Sequence, residues 1–243
     1  MGAYTTRNIS SDEYELLVRT IRAGYIDYTK VIPTGAENPL KKGWYEYNGT
    51  IYTRTTDTIV DYTKTYVSKH IHRQNDQLAM ILELQANIGC RIGDIVTMTV
   101  ENIVAKEYKI DQNEVKIPIS WRLDLTEQKT KKKRYFDVPV EIKNYIDEYC
   151  HRYGITNGRL FTIGKQDVWK HLRAATAYLG LEEVSAHSLR KYAALTVYDT
   201  SGMDIAATCN YLNHNNPSTT LLYIKRPPKQ IDELLSRCVH LVR

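Results

Sequence analysis

A chain of 243 residues with 42% hydrophobic residues is ordinary globular material, long enough for one large domain or two small ones. No apolar run approaches the roughly 18 residues that span a bilayer. The opening MGAYTTRNISSDEY lacks the apolar region of an export signal and its Met-Gly start alone does not argue lipidation, so a location in the cytoplasm, away from membranes, is expected. The net charge of +5 permits a polyanionic partner without demanding one.

In chain order, residues 10–25 place Ser10 three positions before Glu13, a capping-box pattern, and Leu16, Leu17, Thr20 and Ile21 recur at helical spacing. A first helix is predicted there. Residues 26 to about 43 contain Pro33, Gly35, Pro39 and Gly43 and read as irregular, and Asn48-Gly49 between WYEY and TIYT predicts a two-residue hairpin. Residues 26–55 are therefore expected to be an inserted loop and hairpin rather than an independent domain. A helix is predicted over 56–71, with Ile59, Tyr62, Tyr66 and Ile71 on one side. The apolar segment NDQLAMILELQANIG predicts another, stopping at Gly89, and RIGDIVTM a short one beyond it.

Strand-like runs follow: EVKIPI, LDLTEQ and RYFDVPV. Between the last two, Lys129, Lys131, Lys132, Lys133 and Arg134 crowd into six positions at the tip of a predicted β-hairpin. From residue 140 the pattern returns to helices, in VEIKNYIDEYCHRY, KQDVWKHLRAATAYLG, AHSLRKYAALTVYDTSG and DIAATCNYLN, with the last helices starting near Pro217 and Pro227. The class is α+β, mainly helical, with a small antiparallel sheet in the middle of the chain.

Several polar residues resist a purely structural reading. Four widely spaced cysteines without a CxxC pair read as reduced thiols, His70 and His72 lack grouped carboxylates or cysteines, and neither a metal nor a cofactor is predicted. Arg91 lies in the apolar stretch IGCRIGDIV and needs a partner, for which Asp94 is the nearest choice. His187 and Arg190 are three apart near a helix start, where an imidazole and a guanidinium suit a phosphate. His214 stands nine residues before Tyr223, with Asn216-Pro217 starting the helix that carries the tyrosine.

Together these pieces resemble the tyrosine recombinase (phage integrase) family, from about residue 10 to the C-terminus. The family's helix stop followed by Arg-x-Gly-acid appears as NIGCRIGD, its His-x-Leu-Arg as HSLR, and its Leu-Gly-His as LNH, with Thr219-Thr220 and then Tyr223 behind it. Asp94 stands where glutamate is more usual, Asn213 replaces a glycine, and the hairpin EQKTKKKRYFDVP lacks the common turn glycine. Lys129 best matches the family's hairpin lysine, with Lys131 and Lys132 as the other registers.

The resemblance implies the tyrosine-recombinase catalytic fold and site-specific DNA strand exchange through a covalent 3′-phosphotyrosine, without metal or ATP. Tyr223 is the expected nucleophile and His187 its general base, since an ordinary phenol with a pKa of about 10 is only ~0.1% ionised at neutral pH. Arg91, Arg190 and His214 are expected to hold the non-bridging oxygens, Lys129 to protonate the leaving oxygen, and Asp94 to orient Arg91 or His187. Lys131, Lys132, Lys133 and Arg134 are expected DNA contacts. A type IB topoisomerase shares the tyrosine, arginines and lysine, but the Leu-Asn-His and the short spacing favour a recombinase. A DNA-binding relative without catalysis would have little reason to keep the whole set.

The partners so implied are double-stranded DNA attachment sites of a bacterial or phage mobile element, a homotetramer on DNA with a monomer as the alternative in isolation, and an accessory factor for excision. One catalytic domain over 1–243 is expected, without the separate helical core-binding domain that usually precedes it. The amphipathic stretch at Ile231, Leu234, Leu235 and Cys238 is expected either to dock on a neighbouring protomer or to fold back on its own domain.

Overall fold

The computed structural model describes residues 6–31, 44–47, 50–53 and 65–225. The chain divides into two compact units, one formed by Met1–Val18 with Gln77–Arg243, the other by Arg19–Asp76. Helix α1 (Ser11–Ala23) opens on the expected capping box: the Glu13 amide donates to Ser10 Oγ at 3.2 Å and the Ser10 amide to Glu13 Oε2 at 3.0 Å.

The smaller unit is built on an antiparallel sheet of four strands: β1 (Tyr25–Val31), β2 (Trp44–Tyr47), β3 (Thr50–Thr53) and β4 (Thr65–His72), in the order β1-β4-β2-β3. Tyr47 pairs with Thr50, the register a two-residue hairpin requires, while Asn48-Gly49 themselves lie outside the described residues. The helix expected over 56–71 is not formed at its C-terminal half, where β4 runs from Thr65 to His72; residues 56–64 lie outside the described residues. The β-branched and aromatic residues of TYVSKHIH suit a strand, and it pairs with β1 over residues 66–72 and with β2 over residues 65–67. The sheet thus extends the expected loop and hairpin of 26–55 to residue 72. Gly24 joins α1 to β1 at φ +75°, and the Tyr25 and His72 rings stack 4.3 Å apart.

The larger unit is mainly helical. Helix α2 (Asp76–Ile88) is buried on nearly every face, with Leu78, Met80, Ile81, Leu82 and Leu84 in the core. It stops at Gly89, whose φ is +60°; a Cβ there would lie 2.6 Å from the Tyr211 ring, so two separate constraints require glycine. After α3 (Ile92–Val96) and a 3₁₀ turn (Val100–Asn102) comes a second antiparallel sheet, β5 (Ile103–Ile110), β6 (Lys116–Thr126) and β7 (Lys133–Val138), in that order. The two runs read as separate strands are one strand, β6. Strand β5 escapes sequence reading because IVAKEYKI is mostly exposed and alternates poorly.

Helices α4 (Val140–Tyr153), α5 (Lys165–Tyr178), α6 (Ala186–Thr200), α7 (Ile205–Tyr211) and α8 (Pro217–Ile224) follow in the same unit. Side chains cap the last three: Ser185 Oγ accepts from the His187 amide, Asp204 from Ala206 and Ala207, and Asn216 from Ser218, with Pro217 at the first helical position. Helices α6, α7 and α8 pack together around Ala194, Leu212, Tyr223 and Ile224. The stretch from Pro227, with Ile231, Leu234, Leu235 and Cys238, lies outside the described residues. No helix among the described residues is long and apolar enough to cross a membrane.

Candidate active site

Four segments converge: the loop leaving α2, the β6–β7 turn, the first turn of α6, and α7–α8. The capped start of α6 presents His187 and Arg190 on one face, and α8 presents Tyr223 opposite them. Tyr223 is 9% exposed, and its hydroxyl lies 2.7 Å from His187 Nε2. Its ring is edge-on to His187 at 5.2 Å and to His214 at 5.0 Å, with the Arg190 guanidinium 5.8 Å from the ring centre.

Arg190 is fully buried. Its Nη1 donates to the Gly89 carbonyl at 2.6 Å and its Nη2 to the Leu212 carbonyl at 2.8 Å, while Nη2 also meets His214 Nε2 at 3.2 Å. A guanidinium only donates, so Nε2 of His214 accepts there and Nδ1 carries the proton, donating to Thr220 Oγ1 at 3.0 Å. His214 is therefore neutral and one hydrogen short of facing a phosphate as a donor. Arg190 Nε is buried with no partner among the described residues, an orphaned donor within the cluster.

The electrostatics agree. Burial, then the neighbouring Arg190, Lys191, Arg91 and Lys129, hold His187 below its ordinary value, so it is neutral at pH 7 and able to accept a proton. Burial and then Arg190 and Arg91 push His214 down to about 4, against the opposing pull of Glu127. Side-chain hydrogen bonds also bridge the segments here. Arg91 Nη1 donates to Glu127 Oε2 at 2.5 Å, and Thr130 Oγ1 donates to the same oxygen at 2.6 Å. Arg134, 3% exposed, donates to the Ile88 carbonyl at 2.8 Å, the Tyr211 carbonyl at 2.5 Å and Glu127 Oε1 at 3.4 Å. Arg134 and Arg190 thus tie successive carbonyls at the end of α2, residues 88 and 89, to successive carbonyls at the end of α7, residues 211 and 212.

The structure gathers Arg91, His187, Arg190, His214 and Tyr223 into one cluster and places the remaining expected residues around it. Lys129, exposed on the β6–β7 turn, is the hairpin lysine whose charge reaches His187; Lys131, exposed at φ +57°, takes the left-handed position of the missing turn glycine. Lys132 is half-buried, and Lys133 is exposed over the Tyr135 ring. Arg134 does not join these lysines as a surface contact, because its side chain points inward to backbone carbonyls. Nor does Asp94 pair with Arg91: it accepts from the Gln128 amide at 2.8 Å, tying α3 to the hairpin root. Asn213 takes the left-handed conformation at φ +56°, so the turn survives loss of the family's glycine.

Two residues escaped the sequence reading, Glu127 and the structural use of Arg134. Their signal was strand alternation: Leu123 and Leu125 point inward on β6, so position 127 follows them inward, and Arg134 shares its face of β7 with Phe136 and Val138. Burial pushes the Glu127 carboxyl up, but the Thr130 hydroxyl and the Arg91 and Arg134 guanidiniums more than offset it, leaving it below its ordinary value.

Comparison with known proteins places this geometry. The sequence pattern of the Phage integrase family matches residues 51–229. The probable integrase/recombinase YoeC of Bacillus subtilis (strain 168) is 30% identical over 183 residues, covering 72% of this chain and 90% of that protein. Among solved structures, XerA recombinase superposes with a TM-score of 0.57 at 14% identity, over 98% of this chain and 65% of its own. XerH site-specific recombinase bound to palindromic difH substrate, a post-cleavage complex, gives 0.55 at 12% identity, over 94% of this chain and 52% of its own. The chain thus spans about half to two thirds of the length of these solved recombinases and shares their fold.

Proposed function

The chain belongs to the phage integrase family, and from that premise we propose that it exchanges DNA strands at specific sites by forming a covalent bond between Tyr223 and a DNA 3′ phosphate. The observation that carries this reading is the 2.7 Å contact between the Tyr223 hydroxyl and Nε2 of neutral His187, beside the buried guanidinium of Arg190.

In the proposed step, Tyr223 Oη attacks phosphorus while its proton passes to His187 Nε2. Arg190 and Arg91, the latter through the edge not used by Glu127, donate to the non-bridging oxygens. The bond from phosphorus to the 5′ oxygen breaks, and Lys129 gives that oxygen a proton, leaving a 3′-phosphotyrosine and a 5′ hydroxyl. One phosphodiester replaces another, so reversal on a second strand needs no ATP. His214 becomes a donor by taking a proton on Nε2, which a bound phosphate favours by offsetting the positive charge of Arg190 and Arg91. Lys131, Lys132 and Lys133 provide flanking phosphate contacts on duplex DNA, and recombination between two duplexes engages four copies, with an accessory factor directing excision.

The test is covalent capture. Wild-type protein is incubated with a pool of nicked duplexes of randomised sequence, and the adducts that survive denaturation are recovered and sequenced. The reading predicts enrichment of a defined site and loss of all adduct in Tyr223→Phe. Adduct that persists in Tyr223→Phe, or wild type that captures no duplex from the pool, contradicts it.

A further inference from the structure

We infer that Glu127 is a positioning residue, setting the guanidinium of Arg91 and the lysine-bearing turn in one arrangement for the strand transfer proposed above, the reading on which this inference rests. Glu127 is fully buried, a costly place for a carboxylate unless its partners are well placed. Those partners belong to different parts of the site. Oε2 takes hydrogen bonds from Arg91 Nη1 at 2.5 Å and from Thr130 Oγ1 at 2.6 Å, inside the turn. The backbone of Glu127 closes that same turn: its amide donates to the Lys132 carbonyl at 2.9 Å and its carbonyl accepts from the Lys131 amide at 2.9 Å. Lys129 sits between these closures. One residue therefore fixes both the arginine expected at the phosphate and the backbone that carries the expected general acid.

A simpler role would be as counter-ion to buried Arg134. The distances argue against that as the whole account. Arg134 stands 3.4 Å from Oε1 and already donates to two carbonyls at 2.8 and 2.5 Å, whereas Arg91 makes the short contact and its side chain has no other hydrogen-bond partner among the described residues. A guanidinium on a four-bond stem needs such a contact to hold one rotamer. Engaging Nη1 alone leaves Nη2 and Nε as a two-donor edge for a phosphate. Asp94, the residue the sequence suggested for this task, instead fixes the next backbone position through the Gln128 amide, and Gln128 Nε2 reaches Thr97 Oγ1 at 2.7 Å. The hairpin root is thereby bound to the α3 segment at two consecutive residues, the first of them through Arg91.

A displacement of about 1 Å in a catalytic group costs on the order of 100-fold, which sets the expected scale. On a site recovered from the nicked-duplex pool, Glu127→Gln is expected to lower the single-turnover rate of adduct formation ~10- to 100-fold at saturating DNA, with DNA affinity changed less than about threefold. In Arg91→Ala, adding Glu127→Gln is expected to cost little more, because Gln keeps the backbone closures of the turn and can still accept from Thr130, so what the substitution removes is the carboxylate's hold on the arginine. Where Glu127→Gln alone fails to fold, Glu127→Gln with Arg134→Met removes both buried charges and is scored against Arg134→Met in the same way. Losses that multiply in the Arg91 double variant, a rate within about twofold of wild type, or a deficit confined to DNA affinity overturn the inference. The wild-type control separates the two claims: no wild-type adduct overturns strand transfer itself, while wild-type adduct with undiminished Glu127→Gln adduct overturns the positioning role alone.

Discussion

A single proton on His214 shows how the site is set before DNA arrives. The imidazole accepts from Arg190 and donates to Thr220, so it is neutral and braced on both nitrogens. Burial and then Arg190 hold its folded value near 4, below the ordinary 6.5 of the unfolded chain. Unfolding therefore takes up a proton between those limits, and stability, fully present above pH 6.5, is lost as the pH falls toward about 4. Urea unfolding across that window should show the decline, and His214→Gln should flatten it; an unchanged pH slope in His214→Gln would refute the assignment. Lys129 makes a second prediction at this scale. With an ordinary oxygen leaving group, Lys129→Ala should slow adduct formation roughly 100-fold, in the range general acids supply. A 5′-bridging sulfur, which leaves without protonation, should restore most of that rate. Equal defects in Lys131→Ala or Lys132→Ala, rescued by the same sulfur, would move the acid to those positions.

At the scale of elements, the ends of helices and strands carry the site more than their middles do. Arg190 and Arg134 bridge the carbonyl ends of α2 and α7, and Gly89 lets those ends approach within the width of a tyrosine ring. Arg134→Ala should therefore cost stability, about 3–5 kcal/mol because it takes the donor from the Ile88 and Tyr211 carbonyls as well as one partner from buried Glu127, while leaving the salt dependence of DNA binding unchanged. Lys131→Ala should do the reverse, reducing the slope of log affinity against log salt by about 1 at little cost in stability. A salt slope lowered by Arg134→Ala would return that residue to the DNA surface. The sequence carried Gly89, the start of α8 at Asn216-Pro217 and the β6–β7 hairpin clearly, since each has a local chemical signature. Arg134 was misread because a run of five basic residues looks like one solvated tip, although alternation along β7 turns the last of them inward. The strand at 65–72 was misread because Ile59, Tyr62, Tyr66 and Ile71 also fit a loose helical spacing, and only pairing with distant β1 and β2 decides between the two.

Across the whole molecule, the order Arg91, Lys129, His187–Arg190, His214, Tyr223 could be set against a family pattern of residue types, whereas Glu127 could not be found that way, because its partners lie 36 residues before it and 7 after it in the chain. The larger unit brings these segments together; the smaller one, Arg19–Asp76, forms a four-stranded sheet that enters the chain between the first two helices. The central claim is that Tyr223 becomes bonded to DNA. Mass spectrometry of peptides from the trapped adduct tests it directly. The account predicts a nucleotide 3′ phosphate on the peptide containing Tyr223, with a free 5′ hydroxyl on the released strand. A phosphate on any other side chain, or a released strand ending in a 5′ phosphate, would contradict it.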